Sequence, residues 1–430
     1  MTSSLRLLAL SVLTVLCLGL STTAARAQAP ESELAPKPGE FDPEEYTAPA
    51  TGFAIPDVAT AIEKKTQVKS KWFTMKFGLV TLADYTAFSQ DAASVEQVGV
   101  QENQWNARAA RVMVRGGMGK VKYLAAAEYK GFESEPEQTW QLTDLWVMIP
   151  IGSRSTTVTL GKQKETFAYE MVGDAANLNA QERVLSPFFV SRNVGITVRR
   201  LFGKKHNVNL SAGVYNDWFV NDDDFDDSGT DATVRLTGLV WSADKDRSYL
   251  HVGSSWRYFG ADNDTMRYKG RPESNVTSNY VDSGNLSGDH ARHLGFEGLW
   301  NVRGWSLMGE YIQAWVRSDI SGDPTFKGYY VTTSYVLTGE NRPYDRTVGY
   351  ARRVMPTRKW GAPELVFRVA HEDIDDGSVQ GGTFNKTYLG VNWWATRRWK
   401  FGVGWNYTIL DRFQKEGRTH AVLTRFQWVY

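Results

Sequence analysis

The last nine residues, "VLTRFQWVY" (422–430), alternate strictly. Val422, Thr424, Phe426, Trp428 and Tyr430 fall on one side, and Leu423, Arg425 and Gln427 on the other. A period of two is the mark of a β-strand whose two faces meet unlike surroundings. Chain ends fray unless something holds them, so a terminus this apolar is expected to be tied into a sheet.

Working back from that strand, similar alternations recur to about residue 71. They fall near 72–88, 105–115, 119–130, 139–150, 155–166, 192–202, 206–218, 232–242, 247–259, 290–301, 304–316, 327–339, 363–373, 384–396, 398–411 and 420–430. Sixteen segments of roughly ten alternating residues, separated by turn residues, are the sequence signature of a transmembrane antiparallel β-barrel, and an even count suits a single-chain outer-membrane protein. The composition agrees: 16 Trp, 19 Tyr, 20 Phe and 38 Gly suit strands and turns. No interior run reaches the roughly 20 apolar residues of a membrane helix.

The connections follow a rule. "GGMG", "GSR", "GKKH", "ADKD", "VRG" and "TRR" are short, whereas 89–104, 167–191, 219–231, 260–289, 317–326 and 374–383 are long. Short periplasmic turns alternating with long external loops are what such a barrel has. One connection disobeys: 340–362 falls on the turn side by parity, yet is long, so it is either an elaborated turn or a break in the strand count.

Faces follow from the alternation. Phe401, Val403, Trp405, Tyr407 and Ile409 are expected to meet lipid, as are Leu365, Phe367 and Val369, and Val234, Leu236 and Val240. Trp72, Trp140, Trp218, Trp393, Trp394 and Trp428 are expected in interfacial girdles. Periodicity alone does not separate this arrangement from a soluble sandwich. The amino terminus, the strand count and the aromatic last residue do.

That terminus, "MTSSLRLLALSVLTVLCLGLSTTAARA", carries Arg6, an apolar run from Leu7 to Leu20 and small residues at Ala25 and Ala27. It reads as a signal peptide (1–27) cut after Ala27, and the run is too short for a membrane anchor. The sole cysteine, Cys17, lies inside it, so the mature chain is expected to have no disulfide. Losing Arg6 and Arg26 from the 49 basic residues leaves 47 against 48 acidic ones, a balance that points to no nucleic-acid partner. Residues 28–70, with Pro30, Pro36, Pro38, Pro43, Pro49 and Pro56, read as a Pro-rich periplasmic tether with room for a short helix at 57–65. The barrel proper is assigned to 71–430.

Three stretches carry a family resemblance: "FKGYYVTTSYVLTGENRPYD" (326–345), "GAPELVFR" (361–368) and "LGVNWWATRRWKFGVGWNYT" (389–408). The positions are Leu337, Thr338, Gly339, Glu340, Arg342 and Tyr344; Gly361, Ala362, Glu364, Leu365 and Arg368; and Leu389, Gly390, Asn392 and Trp393. In this order they resemble the carboxy-terminal half of the phosphate-selective porin O and P family. "VTLGKQKETF" (158–167) and "NAQERVLSPFFVSRNVGI" (179–196) resemble that family's strand into its third external loop and the loop itself. Pro363 departs from the family pattern, and a strand start accommodates it.

The resemblance implies passive diffusion of small anions, phosphate or polyphosphate among them, without catalysis or cofactor. It also implies a homotrimer set in lipid and lipopolysaccharide, assembled through its last strand by the barrel assembly machinery. An anion path needs cations along a narrow low-dielectric lumen. Inward candidates by alternation are Arg111, Arg115, Lys122, Arg199, Arg235, Arg368 and Arg425. The third loop, 167–191, is a candidate constriction that folds into the barrel. It brings Arg183 and Arg192, with Lys162 and Lys164 just before it. Glu128, Asp144 and Glu310 are candidate acids of the same lumen, and ordinary charge pairing in a wide, weakly selective channel is the competing reading.

Other constellations carry less. Asp224, Asp226, Ser228 and Gly229 resemble the start of a calcium loop, but its twelfth position is Arg235, which cannot coordinate. His290 and His293, three apart on a strand, point to opposite faces and cannot share a metal. A barrel hydrolase needs a Ser, His and acid together at the rim, and Ser248 and His251 are likewise on opposite faces. Service as an adhesion or anchoring barrel through 260–289 is the remaining alternative.

Overall fold

The computed structural model of the protein describes residues 67–131, 139–152, 155–216, 229–261 and 263–430. The expected signal peptide, the Pro-rich segment up to residue 66, Trp218 and the acidic stretch with Asp224, Asp226 and Ser228 lie outside them. Sixteen antiparallel strands form one closed barrel: β1 (Phe73–Gln90), β2 (Gln104–Met118), β3 (Val121–Tyr129), β4 (Trp140–Pro150), β5 (Thr156–Gln163), β6 (Asn193–Phe202), β7 (Val208–Asn216), β8 (Thr230–Ala243), β9 (Ser248–Gly260), β10 (His290–Val302), β11 (Trp305–Arg317), β12 (Thr325–Val336), β13 (Ala362–Asp376), β14 (Val379–Trp394), β15 (Trp399–Arg412) and β16 (Lys415–Val429).

Each strand pairs with its chain neighbour, and β16 closes the ring against β1, from Val80↔Val429 to Gln90↔Thr419. Closure leaves no unpaired sheet edge, which a bilayer requires. A three-residue strand, Gln67–Lys69, doubles back on the start of β1, pairing Gln67 with Lys76. It covers the stretch of β1 edge that β16 does not reach.

The outward face is apolar along the alternation. Leu365, Phe367, Val369, Leu236, Val240, Phe401, Val403, Val422 and Phe426 are all exposed, while Leu423, Arg425 and Gln427 are buried inside. Trp72 and Trp140 are exposed at strand ends. Trp394 departs from the girdle expectation: it is buried in the lumen, with its indole N–H donating to Glu364 (2.9 Å). It follows Trp393 directly on β14, and adjacent strand residues cannot share a face.

Two expectations about connections change. The stretch 374–383 is no long loop, because β13 and β14 run on to a two-residue hairpin at Gly377 and Ser378. The long turn-side connection, residues 337–361, is an elaborated turn and the strand count stands. It folds back into the barrel, where Tyr344–Asp345 pairs with Tyr350–Ala351. Arg235 donates to the carbonyls of Val348 and Gly349 (2.7 Å each), and Asn209 to that of Thr347 (2.7 Å).

The core therefore sits inside the barrel. The third loop (164–192), the loop 261–289 and the inward turn pack against the wall from β8 round to β16. Between them lie Phe167, Tyr169, Val184, Leu185, Phe188, Tyr268, Tyr280, Ile312, Phe326 and Phe384, all buried.

Candidate functional site

The lumen cations fall into two sets. On the plugged side, Arg235, Arg368 and Arg425 face inward as the alternation predicts, but each is buried in an ion pair. Arg235 donates to Glu297 (2.6 Å). Arg425 donates to Asp84 (2.6 Å) and Glu182 (2.7 Å), and Arg368 to Glu170 at 2.5 Å. Arg257, on β9, pairs with Glu165 (2.8 Å) and Asp231 (2.7 Å). These four guanidiniums pin the plug. Glu165, Glu170 and Glu182 belong to the third loop, so three of the four bind that loop to the wall. Lys386 adds Glu273 of the loop 261–289 (2.7 Å).

Glu182 shows the strength of that anchoring. Burial alone raises a carboxyl group, but Arg108 (2.7 Å) and Arg425 outweigh it and hold Glu182 down to about 2. Glu310, the other expected lumen acid on this side, accepts from the Tyr169 backbone N–H (2.6 Å).

On the side formed by β2 to β6, the cations meet water. Arg115 and Lys122 are exposed, and Arg111, Arg192 and Arg199 keep part of their surface accessible. Arg111 donates through Nε to Glu128 (3.1 Å), and Arg192 to Asp144 (2.9 Å). Arg199 donates to Ser211 (3.2 Å), and among the described residues Arg115 has no ion-pair partner. Lys162 is buried behind Arg192.

The third loop completes this wall. Lys164 donates to the Gly173 carbonyl (2.6 Å) and to Asp174 (3.1 Å), and Arg183 to the carbonyls of Glu170 (2.7 Å) and Gly173 (2.9 Å). Asp174 accepts from Lys164, with Arg352 and Arg192 within electrostatic reach, and its side chain is 61% accessible. Water therefore reaches into the barrel at that level. Burial lowers the Lys164 ammonium to about 8, with Asp174 opposing the shift, and burial beside Arg108 lowers Arg183 to about 10. Among the described residues, Arg183 is held by carbonyls and Lys164 by a carbonyl and one carboxylate.

The basic wall has length. Arg192 lies at the loop end of β6 and Arg199 near its turn end, and seven residues of strand span about 23 Å. Arg115 and Lys122 continue the series at the turn end of β2 and β3. Three members of the site are not among the candidates named from the sequence. Arg257 was available to the period-two reading, in phase with Ser255. Arg108 was not: a bulge between the Leu82 and Asp84 pairings shifts the phase of β2. Arg353, in the inward turn, has no periodicity to reveal it.

The described residues contain no group of three or more His, Cys, Asp or Glu side chains arranged to hold a metal ion. His293 is buried against the Tyr268 hydroxyl (2.9 Å), while His290 stacks outside on Tyr258. His251 bonds Glu297 (2.8 Å) and Tyr344 (2.6 Å) inside the lumen and lies on the opposite face from Ser248.

The sequence profile of the family described as "Phosphate-selective porin O and P" matches residues 79–430. Porin O of Pseudomonas aeruginosa is 24% identical over 264 residues, 53% of this chain and 60% of that protein. An uncharacterized protein of Caulobacter vibrioides is 26% identical over 181 residues, 40% of this chain and 36% of that one. The match thus spans less than two thirds of either relative. Among solved structures, OmpT, an outer membrane protein of Vibrio cholerae, has a TM-score of 0.52 at 10% identity, covering 84% of this chain and 99% of its own. An anion-selective porin from Comamonas acidovorans has a TM-score of 0.50 at 11% identity, covering 83% and 100%. At such identities the likeness is one of fold.

Proposed function

The chain belongs to the phosphate-selective porin O and P family, and from that premise we propose that it is an outer-membrane porin through which small anions diffuse passively along the basic side of the lumen. The observation that carries this reading is the asymmetry of the interior. One half is packed and its arginines are buried in ion pairs, while the other keeps Arg115, Lys122, Lys164, Arg183, Arg192 and Arg199 at least partly accessible along its length, with water-accessible Asp174 beside Lys164. Cations lining a low-dielectric passage raise the local anion concentration and exclude cations.

Phosphate is the finer part of the proposal. Guanidinium N–H groups match its oxygens, and Arg183 and Arg192 stand at the third loop with part of each guanidinium engaged, by carbonyls in Arg183 and by Asp144 and Ser191 in Arg192, so phosphate would meet the N–H groups that remain. The mature chain, from Gln28 onward, is proposed to assemble as a homotrimer in lipid and lipopolysaccharide. Catalysis has no place in this reading, because passage needs none.

The test is a planar bilayer holding the purified mature protein under a potassium chloride gradient, with and without phosphate. A zero-current potential of anion sign, with chloride current reduced by low phosphate, supports both parts. Anion sign without the phosphate effect supports a general anion porin, and cation sign or no conductance overturns the proposal.

A further inference from the structure

Each of the three stretches that carry the family resemblance sends one side chain to the same buried point. Arg342, of the inward turn, donates to Glu364, near the start of β13 (2.6 Å). Asn392, on β14, donates to the other oxygen of that carboxylate (3.1 Å), as does the Trp394 indole (2.9 Å). Register accounts for the meeting: Glu364 lies opposite Asn392, and Trp394 opposite Lys400 of β15. The Lys400 ammonium stands over the Trp394 ring, 4.9 Å from its centre. Glu364, Asn392 and Lys400 are all buried, so none of them lines the wetted side formed by β2 to β6.

The cluster spends its remaining donors on the third loop. Arg342 donates to the carbonyl of Asn177 (3.0 Å), Lys400 to that of Leu178 (3.0 Å) and Asn392 to that of Asn179 (2.7 Å). These three residues are consecutive. They belong to no strand, so their carbonyls have no sheet partner and, once enclosed, need donors from elsewhere. The Asn392 amide divides its two N–H groups between the loop carbonyl and Glu364, which fixes its orientation. Gly402, opposite it on β15, leaves the room: a Cβ there would lie 3.0 Å from the Asn392 amide oxygen.

We propose that Glu364, Asn392 and Lys400 are positioning residues of the passage. Glu364 orients the donors, and the donors hold residues 177–179 against the wall, which keeps the third loop out of the wetted side. This rests on the reading of the protein as a porin. Lys164, Asp174 and Arg183 ride on the same loop, so their place along the passage is set by side chains buried away from it.

The experiment records single channels of the full mature protein and of Asn392→Leu, Lys400→Met and Asn301→Leu in planar bilayers. Asn392 carries no charge, so its loss can change ion flow only through the loop. A buried carbonyl without its donor favours arrangements that rehydrate it by about tenfold or more. Asn392→Leu is therefore expected to replace a steady open level with frequent interruptions and a lower mean conductance, and Lys400→Met to do the same. Asn301, on β10, is the control: it is equally buried, but donates to the carbonyls of Arg247 (3.0 Å) and Arg303 (3.3 Å) and not to the third loop. Asn301→Leu is expected to conduct as wild type does. Gel mobility of unheated samples identifies the closed barrels, and Lys400→Met decides where Asn392→Leu fails to close. A conducting wild type with closed Asn392→Leu or Lys400→Met equally steady, or with Asn301→Leu equally interrupted, overturns the positioning role alone. A wild type that does not conduct overturns the porin reading beneath it as well.

Discussion

Arg425, on the last strand, donates to Asp84, on the first, directly across the seam that closes the barrel, at 2.8 Å through Nε and 2.6 Å through Nη2. The same guanidinium reaches Glu182 of the third loop (2.7 Å). One residue in the chain-terminal strand therefore couples closure of the sheet to placement of the plug.

A buried charge stripped of every partner costs about 3–5 kcal/mol; without Asp84, Arg425 still has Glu182 at 2.7 Å, so the loss is expected to be smaller than that. Asp84→Asn is expected to lower the unfolding free energy of the barrel by part of that amount, seen as a lower urea midpoint and followed by the gel mobility of unheated samples. The double variant Asp84→Asn with Arg425→Gln is expected to recover part of the loss, because the guanidinium that lost its seam partner is gone and Glu182 keeps Arg108 (2.7 Å). A single variant as stable as wild type contradicts the coupling.

Acid should loosen the same junction. Glu182 is held at about 2, below its ordinary value of 4.5. A depressed carboxylate contributes stability that is fully present above the unfolded value and is lost as pH falls through the folded one. The window is therefore about pH 4.5 to about 2, and the shift corresponds to about 3 kcal/mol. Urea midpoints measured across that window should fall steeply for wild type and more gently for Glu182→Gln.

The strands were legible because lipid on one side and lumen on the other impose a single period on every segment. Even Pro363, at the start of β13, sits where its missing N–H is tolerated. The use of the lumen was less legible. Alternation places Arg235, Arg368 and Arg425 inside together with Arg111, Arg115 and Arg199, but it cannot tell a paired arginine from a wetted one. The distinction depends on carboxylates that arrive from loops, such as Glu170 and Glu182, whose positions no periodicity encodes. The bulge in β2 and the inward fold of residues 337–361 hid Arg108 and Arg353 for the same reason.

Lys164 gives the proposed anion preference a pH dependence. With its ammonium lowered to about 8, it is charged below that pH and neutral above it, while the arginines around it stay charged. Anion preference is expected to decline as pH rises from about 7 to about 9, where one charge of the passage is lost. Lys164→Gln is expected to show the lower preference throughout and a flat profile. A wild-type zero-current potential that does not move over this range contradicts the assignment.

Gly349 governs how closely the inward turn approaches the wall. Its φ is 75°, and a Cβ there would lie 2.5 Å from the Thr237 hydroxyl on β8. Gly349→Ala thus combines a left-handed backbone, which costs an L-residue about 1–2 kcal/mol, with a contact that only displacement relieves. The tip of the turn is expected to lift from β8, so that Arg235 loses the Val348 and Gly349 carbonyls while keeping Glu297. Because this segment narrows the lumen from the periplasmic side, single-channel conductance is expected to rise. Gly377→Ala is the control: its φ is also positive, at 57°, but open space surrounds the site in the external hairpin between β13 and β14. It should carry a similar backbone cost and leave conductance unchanged. Equal conductance in both variants and wild type would mean that the turn, although inside the barrel, does not bound the path.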